Sequence, residues 1–265
     1  MNSVRVAGHC GEWLQGRLGP SGPVVLVTLP CNALGVRGWQ RDAAGLRLSG
    51  AGISMLRAQH FLRRLGLGMR GRVLLRASAP PGLGAGMSTA QLVALARLAG
   101  WQGDPLALAR ACVACEGASD PLMFPAPERM LWASRAGRIV QPMPALPQHD
   151  VLAGFLGGPV PTDPHDNDFA DISDLVDDWS RAQTLPAFAA MASESAARCL
   201  RHRGPADDAT ARLARDSGAL GWAIAHTGAA RALIFAPGQI PADAPTTMRR
   251  AGFRSVMRFR GGGRP

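Results

Sequence analysis

The residues best suited to chemistry begin at Pro80-Pro81-Gly82-Leu83-Gly84-Ala85-Gly86-Met87-Ser88-Thr89-Ala90. Three glycines within five positions lead into Ser-Thr-Ala and then Gln91-Leu92-Val93-Ala94-Leu95-Ala96-Arg97-Leu98, whose composition and spacing are helical. A glycine turn that opens a helix leaves several backbone N–H groups unpaired at the positive end of the helix dipole. Such an end is a seat for phosphate, and the hydroxyls of Ser88 and Thr89 stand where they could reach a phosphate-bound Mg2+. Prolines before the turn, hydroxyls after it and a helix behind it favour this reading over a plain serine-capped loop.

Glu116-Gly117-Ala118-Ser119-Asp120-Pro121 places two carboxylates four residues apart where a helix ends. Hard oxygen ligands suit Mg2+. One carboxylate could therefore hold the metal while the other accepts the proton of a substrate hydroxyl. A frayed, solvated helix end followed by an Asp-Pro turn is the plainer alternative. Glu12, within Cys10-Gly11-Glu12-Trp13-Leu14-Gln15-Gly16, equally fits a turn between two strands, and His226, before Thr227-Gly228, equally fits a hairpin hydrogen bond.

Two other phosphate-binding loops are excluded. A Walker A loop ends in Gly-Lys-Ser/Thr, and this chain has no lysine: all 29 of its basic residues are arginine. A dinucleotide fold needs an acidic residue about 20 positions on, after a second strand. Glu116 lies further away and inside a helical pattern.

These groups need a scaffold. Val- and Leu-rich runs at 24–29, 46–49 and 72–77 predict strands bounded by Gly, Pro and Asn. Apolar residues at helical spacing predict a helix over 53–65, stopped at Gly66. The loop helix is expected from about Ser88 to Leu98. Asp104-Pro105 caps the next, which runs to about Glu116. A short hairpin is expected at 131–133 and 137–140. The cluster Pro142, Pro144 and Pro147 breaks the pattern and marks the expected boundary between domains at 1–147 and 148–265.

Beyond it, 151–156 predicts a buried strand. The acidic stretch 163–178 predicts a solvated loop leading into a surface helix. Helices at 185–200 and 206–217, strands at 220–225 and 230–235, a helix at 242–251 and a strand at 255–260 complete the chain. This irregular alternation favours an α+β fold over a regular parallel sheet.

At 265 residues and 47% hydrophobic content the chain can build a large core. It has no apolar run of 18 residues, so no membrane helix is expected, and its start lacks the apolar segment of a signal peptide. Five scattered cysteines, with Cys112-Val113-Ala114-Cys115 inside a helical run, read as core thiols in a reducing cytoplasm. The net charge of +10 raises the question of nucleic acid, and Arg249, Arg250, Arg254, Arg258, Arg260 and Arg264 thicken the C-terminus. With no tyrosine, 5% aromatics and no basic–aromatic motif, composition argues against that partner. A positive field attracts ATP and acidic metabolites equally well.

Taken in order, the four motifs resemble those of the GHMP small-molecule kinases: an N-terminal Gly-Glu, a central Pro-x3-Gly-Leu-x-Ser-Ser-Ala-type loop, acids after the next helix and a C-terminal glycine hairpin. The similarity is greatest to the L-threonine kinases of cobalamin biosynthesis and propanediol utilisation. It rests on Cys10-Gly11-Glu12-Trp13-Leu14-Gln15-Gly16, Met87-Ser88-Thr89-Ala90-Gln91, Cys112-Val113-Ala114-Cys115-Glu116 with Leu122-Met123-Phe124, and Ala225-His226-Thr227-Gly228.

The resemblance implies a two-domain α+β fold, with an N-terminal domain like ribosomal protein S5 domain 2 and a ferredoxin-like C-terminal domain. It implies ATP-dependent phosphorylation of the L-threonine hydroxyl, with Ser88 and Glu116 on Mg2+ and Asp120 as base. Gly84, Ala85 and Gly86 would wrap the ATP phosphates, within a loop that also includes Pro81, Gly82, Leu83, Met87, Ser88 and Thr89. Glu12, Gln15, His226, Thr227 and Gly228 would border the substrate. A homodimer is compatible with it.

The chain differs from the family pattern in three ways. Met87 replaces a serine, the Glu116–Asp120 spacing is one residue longer, and no lysine is present to assist the attacking hydroxyl. Homoserine or a sugar as substrate, and a non-catalytic member that binds a ligand or nucleic acid, are the competing readings.

Overall fold

The computed structural model describes residues 2–50 and 52–263. Arg264, last of the C-terminal arginines, lies outside the described residues. The fold is α+β, built on one curled sheet of ten strands among the described residues.

Its spine is the antiparallel pair β1 (Asn2–Arg17) and β2 (Val24–Arg41). Both are longer than the sequence pattern suggests. Gly11 adopts a positive φ of 81° and forms part of a bulge, with register shifts between His9 and Glu12 and between Glu12 and Leu14. The expected turn at Gly11-Glu12 is thus an irregularity inside one continuous strand. The pattern in β2 is obscured by Pro30, Asn32 and the glycines beyond them, though the strand runs on to Arg41.

β4 (Gly71–Ala77) extends β2, and β3 (Leu46–Ser49) adds a parallel edge. β5 (Met130–Ala133) and β6 (Arg138–Pro142) form the expected hairpin, with β5 paired to Val25 and Leu26 at the start of β2. Three helices belong to this half: α1 (Met55–Arg64), α2 (Met87–Leu98) and α3 (Pro105–Glu116). α2 is buried on nearly every side, as expected of an Ala/Leu-rich helix that carries no charge before Arg97. α3 starts at Asp104, whose side chain accepts the Leu106 N–H at 3.0 Å, and ends at Gly117 with φ 79°.

The second half follows the order β7 (His149–Phe155), α4 (Ser173–Arg181), α5 (Leu185–Arg203), α6 (Thr210–Asp216), β8 (Gly221–Ile224), β9 (Ala230–Phe235), α7 (Ala244–Arg250) and β10 (Arg254–Gly261). Its strands lie in the order β10-β7-β9-β8, all neighbours antiparallel. That is the split β-α-β arrangement of ferredoxin-like sheets. The halves meet where Glu12 of β1 pairs with Ile224 of β8.

The acidic stretch is the exposed loop leading into a surface helix that was expected, with its acids tied down by ion pairs. Asp166 pairs with Arg203, Asp168 with His202 and Asp174 with Arg198. α4 buries Leu175, Val176 and Trp179 beneath its acids. All five cysteines are free thiols, four of them buried. No helix among the described residues is long and apolar enough to cross a membrane.

Candidate active site

The glycine loop is clamped from two sides. The Ala85 carbonyl accepts the His9 N–H at 3.2 Å and the Gly84 carbonyl that of Gly11 at 3.5 Å. From the other side, the Leu83 carbonyl accepts the N–H groups of Ala229 and Ala230, at 3.1 and 2.9 Å. Contact here is backbone on backbone. A Cβ on Gly84, whose φ is +73°, would lie 2.2 Å from the Ala225 Cβ; one on Gly228, φ +96°, would lie 2.5 Å from the Gly82 oxygen. Larger residues at either position would force the hairpin turn away from the loop.

With its carbonyls engaged elsewhere, the loop lines a cavity of about 380 Å3. α2 opens on this cavity. Its intrahelical bonding begins with the Ala90 N–H on the Gly86 carbonyl, so the amides before Ala90 form the unpaired N-terminal end of the helix. Met87, at the altered serine position, turns its thioether into the core: it is 2% exposed and accepts from the Ser78 hydroxyl at 3.8 Å. The exchange fills the interior beside Gly8, where no Cβ would fit.

The two predicted acids line the same cavity. The Ser88 hydroxyl donates to Glu116 Oε1, which also accepts from Arg57 Nη2 at 2.8 Å. Burial raises the Glu116 pKa, while Ser88 and Arg57 oppose that rise. Asp120 donates its backbone N–H to Thr89 Oγ1 at 3.2 Å. Thr89 is therefore turned to the Asp120 segment rather than presented beside Ser88.

Sequence reasoning missed His9. It is 2% exposed, with Nδ1 3.3 Å from Glu12 and Nε2 3.4 Å from Asp120. Burial would lower its pKa, but the two carboxylates outweigh burial and raise it to about 9. Burial also raises Glu12, to about 8, against the pull of His9. Asp120 moves the other way: burial would raise its pKa, and His9 brings it below the usual carboxylate range. The donor atoms of the three groups lie within 4.8 Å of one another. The imidazolium supplies the positive charge between the acids.

In a regular strand residues 9 and 12 would face opposite sides. The bulge at Gly11 puts them together, so strand alternation alone would not have paired them. An isolated histidine beside a glycine in a strand was the one available signal.

The far wall is made by His226, Thr227, Arg135 and the segment that follows β7. Thr162 Oγ1 lies 3.0 Å from Thr227 Oγ1, and the Val160 N–H donates to the Gly82 carbonyl at 2.8 Å. Arg135 donates to the carbonyls of Asp166, at 2.8 Å, and Pro164, at 3.2 Å. The Phe169 ring stacks on His226, with centroids 4.0 Å apart, and the Arg203 guanidinium covers its other face at 4.1 Å. Burial, together with Arg135 and Arg203, pushes the His226 pKa down to about 3, so this imidazole is neutral.

Three predicted residues stand outside the lining. Leu83 is held by the hairpin as described. Gly228 packs on the loop's outer side. Gln15 is buried, donating its N–H to Ser195 Oγ at 2.9 Å and its Nε2 to the Ile224 carbonyl at 3.0 Å, and so ties β1 to α5 and β8. Glu12, Pro81, Gly82, Gly84, Ala85, Gly86, Met87, Ser88, Thr89, Glu116, Asp120, His226 and Thr227 all line the cavity.

No family model matches the chain, and no curated protein matches its sequence. Solved structures do resemble it along its whole length. A Methanococcus jannaschii mevalonate kinase superposes with a TM-score of 0.67 at 9% identity, over 98% of this chain and 97% of that one. For the Streptococcus pneumoniae phosphomevalonate kinase the values are 0.65 and 12%, over 99% of both chains. For a homoserine kinase from Cytophaga hutchinsonii they are 0.56 and 16%, over 98% of this chain and 95% of that one. These proteins are members of the GHMP kinase superfamily. The chain has the GHMP kinase fold.

Proposed function

We propose that the protein is an ATP-dependent small-molecule kinase that transfers the γ-phosphoryl group to the side-chain hydroxyl of L-threonine, giving O-phospho-L-threonine for the aminopropanol linker of cobalamin. One observation carries the phosphotransfer reading. A helix N-terminus with a glycine loop, a hydroxyl–carboxylate pair and an ionised aspartate all line one cavity. Phosphoryl transfer needs these parts and little covalent chemistry from the protein.

The amides at the start of α2 and the glycine loop hold the ATP phosphates. Ser88 and Glu116 present two hard oxygens to each other, a donor set that fits Mg2+. Bound there, the metal would neutralise charge on the phosphates. Asp120, kept ionised by His9, accepts the proton of the substrate hydroxyl. His9 fills the role of positioning cation in a chain without lysine. It orients the base through Nε2 and is itself oriented by Glu12 through Nδ1.

The amino acid as substrate is supported by the motif resemblance and by the opposite charges around the cavity. Glu12 lines the cavity and offers a carboxyl oxygen that can accept a hydrogen bond from an ammonium group. Arg135 beside a neutral His226 gives the far wall a positive potential that suits a carboxylate.

The test is an ADP-release screen with L-threonine, L-homoserine, mevalonate and sugars, with the product identified by mass. L-Threonine should stimulate ADP release most and gain one phosphate. Stimulation by another alcohol alone would move the assignment to that substrate. ATP binding without stimulation by any of them would end the kinase reading.

A further inference from the structure

The outer surface of the β1-β2-β4-β3 layer collects arginines in a way the linear sequence does not show. Cross-strand pairing sets Arg5 opposite Arg37, Arg37 opposite Arg76, Arg41 opposite Arg72 and Arg47 opposite Arg72. All six side chains are exposed. They project from the face opposite the one that α2 covers, where the alternating Val4, Val6, Val36, Val73 and Leu75 enter the core. Between the arginine rows the same registers align Ser3, Trp39, Leu74 and Ser49. Trp39 and Leu74 are half-buried and line an open groove of about 440 Å3, with Arg41, Arg72 and Arg76 at its rim.

Like charges directly opposite each other across strands destabilise a sheet. On other parts of the molecule Arg57, Arg181, Arg198, Arg201, Arg203, Arg231 and Arg260 pair with carboxylates. No Asp or Glu occurs in residues 2–7, 35–41, 46–49 or 71–77, the stretches that form this face.

We propose that this face binds single-stranded nucleic acid, with phosphates along the arginine rows and a base stacked on Trp39 in the groove. Cationic tracks with an interleaved aromatic bind single strands by charge and by stacking, without sequence preference. The overall composition argues against nucleic acid because it cannot see register: one tryptophan suffices once strand pairing surrounds it with guanidinium groups. The face is separate from the cavity, so the inference stands independently of the kinase reading.

The test uses the full chain and a fluorescein-labelled 20-nucleotide oligo-dT, with anisotropy followed over a salt series. Arg72→Ser/Arg76→Ser should weaken binding at least tenfold at moderate salt. It should also flatten the salt dependence of log K by roughly 0.7 for each lost phosphate contact. Trp39→Ala should weaken binding about fivefold or more, and Trp39→Leu serves if the alanine variant misfolds. Arg249→Ser/Arg250→Ser removes the same charge from exposed positions on α7 and should leave binding within about twofold of wild type.

Equal losses in the two double variants would overturn the proposal in favour of unspecific charge. Absence of a complex at moderate salt would overturn it outright. Tighter, Trp39-dependent binding to phosphatidylglycerol vesicles than to the oligonucleotide would assign the face to an anionic membrane surface instead.

Discussion

At the scale of residues, the proposed proton transfer depends on Asp120 and on the His9 imidazole beside it. As general base, Asp120 must be ionised, so Asp120→Asn should lower kcat by roughly 10²-fold or more and change KM for ATP little. Near-normal turnover of that variant in the ADP assay would remove Asp120 from the role. His9→Asn tests the positioning cation. Removing the charge that depresses the Asp120 pKa should move the acid limb of the kcat–pH profile to higher pH, along with a loss of rate. A profile whose acid limb stays in place would show that His9 is only structural.

The same cluster makes stability depend on pH. His9, raised from 6.5 to about 9, and Glu12, raised from 4.5 to about 8, both bind protons more tightly in the folded chain than in the unfolded one. Their stabilisation declines as pH rises through those windows. The cluster should therefore lower the melting temperature as pH rises from about 4.5 to 9, most steeply between about 6.5 and 8 where the two windows overlap, and a scan of His9→Gln should show a shallower decline there.

At the scale of elements, much was legible because local signals decide helix ends. The Asp104-Pro105 start of α3 was readable, as was the glycine entrance to α2, since a cap side chain or a positive φ is a local requirement. β1 and β2 were only partly legible. Glycine and proline normally punctuate strands, and here they sit inside two long ones whose pairing is long-range. Glu116, Ser88 and Asp120 could be nominated from motif order. Their partners Arg57 and His9 could not, because only the fold brings α1 and the β1 bulge to the cavity. The loop–hairpin clamp makes a further prediction at this scale. Gly84→Ala adds a Cβ where 2.2 Å is available. It should destabilise the protein by more than about 1 kcal/mol and raise KM for ATP severalfold, read by thermal melts and initial rates.

At the scale of the whole molecule, the sheet runs without a break past the boundary expected at residue 147, through the β1–β8 pair, and side chains cross it too. Trp13 of β1 packs edge-on against His149 of β7 and Trp179 of α4, with ring centroids 5.0 and 5.8 Å apart. Trp13→Ala should cost about 3–5 kcal/mol, and both halves should lose structure together, with near- and far-UV circular dichroism giving one midpoint. Two separated transitions would contradict that coupling.

The contact between Gly84 and the Gly228 turn also bears on redesign. Where main chain rests on main chain, neither partner tolerates variation unless the other changes at once, so a mutational library spread over that wall would return chiefly glycine. New substrate preferences would have to be bred from neighbouring positions such as Thr162 and Arg135, which line the cavity with side chains rather than peptide groups.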